Sequence, residues 1–122
     1  MLAFKCMIMI SVKTAREIAL GFLETDEKPH FDRLAFRVRG KIFSTLSEEK
    51  KDLNLKLTPY DQSICCKNAD PELIHPVAGG WGRQGWTTLH LSKTNKKFYQ
   101  ELITLAYCNI APIQLAEKYK TY

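Results

Sequence analysis

Both tryptophans of the chain and four of its six glycines lie in one stretch, "GGWGRQGWTTLHL", residues 79–91, with Arg83 between the indoles. That composition suits two kinds of contact. Glycine amides and a planar guanidinium at Arg83 can hold an anion, and Trp81 can stack on a base as aromatic platforms do in single-strand binders. The competing reading is structural: glycines closing a tight hairpin, tryptophans clamping it to a sheet, and Arg83 lying over an indole face. Trp86 opens a strand-like run, which suits the structural role at that position.

A second cationic group surrounds Gly40, where Arg37, Arg39 and Lys41 follow Arg33. Basic hairpin tips meet phosphates without reading sequence, although the same charges on a solvated turn also discourage edge-to-edge pairing. His30, in "KPHF", has the type of side chain that serves as a general acid or base near neutrality. That role needs Asp32, Glu27 or Asp61 within reach; otherwise His30, like His90, is a structural histidine within the sheet. Taken together, His30, Trp81, Arg83 and Trp86 are also the material for an aromatic-lined pocket that takes a small anionic metabolite. Lys93, Lys96 and Lys97 gather near the start of the last long helix, the end where the helix dipole disfavours cations.

No spacing in the chain amounts to a catalytic signature, so a binding protein rather than an enzyme is expected. Cys6, Cys65, Cys66 and Cys108 form no C-x-x-C pair, and His30, His75 and His90 stand apart from them in sequence. Reduced thiols in a cytoplasmic protein are expected, with no metal site and no cofactor.

The elements that must position these residues are legible from periodicity. "SVKTAREIALGFLET" repeats apolar residues at helical spacing behind a Ser11 N-cap. "RLAFRVRGKIFSTL" changes to period two about an Arg39-Gly40 turn, which sets Val38 opposite Lys41, Phe36 opposite Phe43 and Leu34 opposite Thr45. Leu53, Leu55 and Leu57 alternate with Asn54 and Lys56 as a half-buried strand. Thr58-Pro59 then starts a short helix to about residue 68, and a brief edge strand fits around Leu73 to His75. "WTTLHL" forms a strand with Leu89 and Leu91 on one face and Trp86, Thr88 and His90 on the other. Ser92 or Thr94 caps the last long helix, whose apolar stripe runs Phe98, Leu102, Leu105, Asn109, flanked by Tyr99, Ile103 and Ala106. Pro112 breaks it and opens a final short helix.

With 122 residues, 45% hydrophobic and 25% charged, the chain has the composition of one globular domain. Terminal helices around hairpins predict an α+β fold, an antiparallel sheet with the N- and C-terminal helices on one face and the other face open. Residues 11–122 make up that domain. Residues 1–10 are expected to be an extension or a misplaced start, with Met7 or Met9 as alternatives to Met1. The opening apolar run is too short to span a bilayer, so no membrane contact is expected. A net charge of +5 leans toward anionic partners.

In order along the chain, "EKPHFDRLAFRVRGKIFSTL", "LNLKLTP", "GGWGRQGWTTLHL" and "IAPIQLAEK" resemble the MmcQ/YjbR-type family of small bacterial proteins. The pairing of "KPHF" with "GGWGRQGW" is its most specific part. The chain departs from that pattern at Leu34, where relatives often carry proline, and at Ile113, where they often carry lysine. The resemblance implies a frataxin/CyaY-like sandwich and DNA binding through two hairpin wings, and it offers no agreed catalytic residues to carry over. The leading expectation is therefore nucleic-acid binding, DNA first, with phosphate contacts from Arg37, Arg39, Lys41 and Arg83 and stacking by Trp81. The alternatives are the metabolite pocket and a protein-interaction module using the open face.

Overall fold

The structure, a computed structural model, describes residues 10–120. The extension at residues 1–10 and the choice among Met1, Met7 and Met9 fall almost entirely outside them. The element order is α1 (Val12–Leu20), β1 (Thr25–His30), β2 (Arg33–Val38), β3 (Lys41–Ser47), β4 (Asp52–Lys56), α2 (Pro59–Cys66) and β5 (Ile74–Pro76). There follow α3 (Gly80–Arg83), β6 (Trp86–His90), α4 (Lys96–Ile110) and α5 (Ile113–Ala116). The strands form one antiparallel sheet in the order β1-β2-β3-β4-β6-β5. This is the expected α+β architecture, and no helix among the described residues is long and apolar enough to cross a membrane.

One sheet face carries the core. Phe36, Phe43, Leu46, Leu53, Leu55 and Leu89 are fully buried there, packed with Ala15 and Ala19 of α1 and with Tyr99, Leu102, Ile103 and Ala106 of α4. Two buried phenols fix the helices: Tyr99 Oη donates to the carbonyl of Ala15 at 2.7 Å, and Tyr107 Oη to that of Leu23 at 2.7 Å. Ser11 caps α1 through the amide of Thr14, and Thr58 caps α2 through that of Asp61.

Four local expectations are corrected. The β2–β3 ladder begins as expected with Val38 opposite Lys41 and Arg37 opposite Ile42, but then slips, pairing Phe36 with Ser44, Ala35 with Thr45 and Leu34 with Leu46. The extra residue is Phe43, and the bulge has a steric reason. Phe43 and Leu46 both belong to the core although three residues apart, an odd spacing that strict alternation cannot put on one face. The cap of α4 is Asn95, whose side chain accepts from the Phe98 amide at 2.8 Å, rather than Ser92 or Thr94. The buried stripe of α4 runs through Tyr99, Leu102, Ile103, Ala106 and Tyr107, leaving Leu105 exposed. Finally β1, "TDEKPH", has no apolar alternation, and periodicity gives no sign of it. It is an edge strand guarded by charge and by Pro29.

Candidate functional site

The uncovered sheet face is built from the side chains that alternate away from the core. Toward one end of the strands it is tied by Arg33, the first residue of β2. Its Nε donates to Thr45 Oγ1 at 2.8 Å and its Nη2 to Asp52 Oδ1 at 2.8 Å, so one guanidinium spans β2, β3 and β4. The pair is mostly buried, with side-chain exposures of 15% for Arg33 and 12% for Asp52. Thr88 of β6 donates to Asn54 Oδ1 of β4 at 2.7 Å, and His90 meets His75 of β5 with their Nε2 atoms 3.0 Å apart. His90 therefore has the structural role, hydrogen-bonded within the sheet.

Over this face lies a pocket of about 380 Å³. Its floor is Ile42, Thr45 and Asn54, from the two strands at the centre of the sheet. One wall is the β1–β2 turn, His30, Phe31, Asp32 and Arg33; the other is Val77, Trp81 and Trp86. By register the β1–β2 turn lies at the His90 end of β6 and Trp86 at the other end, so the two walls stand at diagonally opposite corners of the β3–β4 floor. Two side chains stand out: Phe31 is 94% exposed and Trp81 64%. Phe31 also has φ +59°, a left-handed backbone that a bulky residue adopts at a cost of about 1–2 kcal/mol. A large apolar ring on a strained backbone, almost wholly in water and meeting His30 edge-on with centroids 4.9 Å apart, contributes little to folding. Phe31 is the site residue that sequence reasoning missed; its signal was an aromatic at the turn position of "KPHF".

The Trp81 wall is rigid. Residues 80–83 form a single helical turn where a plain hairpin loop is the expectation. The amides of Arg83, Gln84 and Gly85 bond the carbonyls of Gly79, Gly80 and Gly82, so they are not available to an anion. A Cβ on Gly82 would meet the Val77 carbonyl oxygen at 1.9 Å, and one on Gly85 the Leu57 carbonyl oxygen at 1.9 Å, so close backbone approach demands glycine at both. Gln62 of α2 donates from Nε2 to the carbonyls of Gly82 and Trp86, at 2.9 and 3.1 Å, and to Thr87 Oγ1 at 3.1 Å. The cation near the Trp86 indole is Lys56, with Nζ 5.9 Å from the ring centroid, rather than Arg83.

The expected cationic contacts divide into two kinds. Arg37 forks onto Asp26, with Nε and Nη2 at 2.9 and 2.8 Å from the carboxylate oxygens, and Arg39 onto Glu24 at 2.7 and 3.0 Å. Those hydrogen bonds hold the Asp26 and Glu24 carboxyls below their ordinary range, as Arg16 does for Glu27. Lys41 and Arg83 are exposed and form no ion pair among the described residues. By register, Arg39 and the start of β6 lie at the same end of the strands.

Of the four residues expected to bound a pocket, the structure gathers His30, Trp81 and Trp86, and leaves Arg83 outside the lining. Asp32 shares the His30 wall with no hydrogen bond between the two among the described contacts, while Glu27 is engaged by Arg16. Burial raises the thiols of Cys65, Cys66 and Cys108, which are free, so none is an activated nucleophile. Among the described residues no three His, Cys, Asp or Glu side chains gather as a metal site.

The two motifs that are most distinctive in the sequence, "KPHF" and "GGWGRQGW", thus both contribute residues to the lining of one pocket. A comparison with curated proteins returns no match. The sequence model of the YjbR family matches residues 20–109, a span that takes in the whole sheet, both walls of the pocket and nearly all of α4, and the chain belongs to that family.

Proposed function

We propose that the open face binds single-stranded nucleic acid by taking one unpaired base between Phe31 and Trp81, with Lys41 and Arg83 meeting phosphates. The observation that carries this reading is the pair of exposed rings, Phe31 and Trp81, that line one pocket. Aromatic platforms that hold bases have this form, and each stacked base is worth about 1–3 kcal/mol. Arg37 and Arg39 contribute less to this reading than their charge suggests, because each already holds a carboxylate. With few free cations the salt dependence is shallow.

Both tryptophans line the pocket, so intrinsic fluorescence reports on it directly. Titration with short single-stranded oligonucleotides at low salt is expected to quench it, with duplex of the same sequence much weaker. Trp81→Ala weakens single-strand binding by about 10-fold or more. The reading fails if no oligonucleotide binds at low salt, or if affinity is unchanged in Trp81→Ala and in Arg83→Ala alike.

A second reading is supported by the same lining: a free small anion carrying an aromatic ring, such as a mononucleotide, with the pocket as the whole site. A mononucleotide that binds as tightly as an oligonucleotide selects this reading over the first.

A further inference from the structure

The floor of the pocket is built to give hydrogen bonds rather than to accept them. Asn54 Oδ1 already takes the Thr88 hydroxyl proton at 2.7 Å, so the group of this amide left over is its Nδ2, with two N–H donors. Thr45 Oγ1 already accepts from Arg33 Nε at 2.8 Å, which leaves the hydroxyl proton of Thr45 to be given away. Nε and Nη2 of Arg33 are engaged by Thr45 and Asp52, and its Nη1 makes no hydrogen bond among the described contacts, so whatever it presents to the pocket is a further donor and not an acceptor. The one carboxylate in the lining, Asp32, is exposed on the turn beside Phe31, at the rim and not on the floor.

A ring held by its faces between Phe31 and Trp81 turns an edge toward β3 and β4, and the two donors there ask that edge for acceptors. From this we infer that the pocket selects purines by the group at position 6, preferring 6-oxo to 6-amino rings. A 6-oxo purine offers O6 and N7 side by side as acceptors for Asn54 Nδ2 and the Thr45 hydroxyl, whereas the amino group of a 6-amino purine sets donor against donor. This rests on the single-strand reading above and adds base selectivity to it. Ring size and stacking area are matched between the two purines, so stacking on Phe31 and Trp81 does not produce the preference.

The test uses the full chain and oligonucleotides of abasic sites carrying one central base, deoxyinosine or deoxyadenosine. Tryptophan quenching is expected to give about 5- to 10-fold tighter binding for deoxyinosine. Asn54→Asp puts an acceptor where the amide donates and is expected to remove or invert the preference while quenching persists. Should Asn54→Asp fold poorly beside Asp52, Thr45→Val removes the second donor and reduces the preference about twofold or more. Affinities equal within twofold for the two purines overturn the inference and leave the single-strand reading standing. So does a preference that survives both variants. Absence of binding to every oligonucleotide removes the single-strand reading and the inference with it.

Discussion

β2 is closed at each end by a two-residue turn, and the two turns are made in opposite ways. At Arg39-Gly40 both residues have positive φ, +48° and +82°, the backbone that suits a tight hairpin, and the second is glycine. The arginine is held to Glu24 by its guanidinium and by its amide. At Phe31-Asp32 the residue with positive φ is a phenylalanine, and its ring is left in water. The first turn spends its unusual residue on closing the sheet. The second keeps a costly conformation and gets no burial for it, which fits the ring-binding role proposed for Phe31.

The two ends are also anchored differently, and the largest expected effect tests that. Beside Phe31, Arg33 and Asp52 form a mostly buried pair; beside Arg39, the pair with Glu24 is half exposed on both sides. Asp52→Ala strands a buried guanidinium and is expected to cost about 2–4 kcal/mol in urea unfolding. Glu24→Ala leaves the midpoint unchanged within error. Equal losses would break the contrast.

A smaller effect follows from making one substitution at both ends. Phe31→Gly relieves the left-handed strain and is expected to raise stability by about 0.5–1 kcal/mol, while lowering single-strand affinity about 10-fold. Arg39→Gly leaves affinity within about twofold, since its charge is already engaged by Glu24. Denaturant titration and tryptophan quenching on the same samples check both halves.

The smallest effect is on pH. Glu24, Asp26 and Glu27 of the first hairpin have carboxyls lowered by hydrogen bonds from Arg39, Arg37 and Arg16. A lowered folded pKa contributes stability that is fully present above the unfolded values, about 3.9 for Asp and 4.3 for Glu. It is lost as pH falls through the lowered folded values. Hydrogen exchange at Thr25 to Glu27 should therefore speed up below about pH 4 relative to the central strands, and more weakly at high salt.

Much of the fold was legible because its signals are local. A Ser11 or Thr58 hydroxyl before a helical repeat, and leucines alternating at 53, 55 and 57, need nothing beyond their neighbours to be read. What escaped depends on contacts distant in sequence. β1 is a strand because β2 offers it an edge, and its own "TDEKPH" carries no apolar pattern. The bulge at Phe43 is set by which rings the helices receive. The site followed the same rule: His30, Trp81 and Trp86 could be grouped by residue type, and the structure gathers them. The engagement of Arg37 by Asp26 of β1 and of Arg39 by Glu24 just before it stayed hidden for as long as β1 did. Phe31 was passed over because an aromatic reads as core until its exposure is known.

The seating of the Trp81 turn has a mechanical consequence. Two glycines wedged against neighbouring carbonyls and a glutamine pinned across three acceptors make that side an anvil, which cannot yield to what is pressed on it. The wall across the pocket is a two-residue bend at the sheet's rim, so on the proposed reading guests of different thickness would be accommodated by Phe31, and the indole would meet each of them in the same pose.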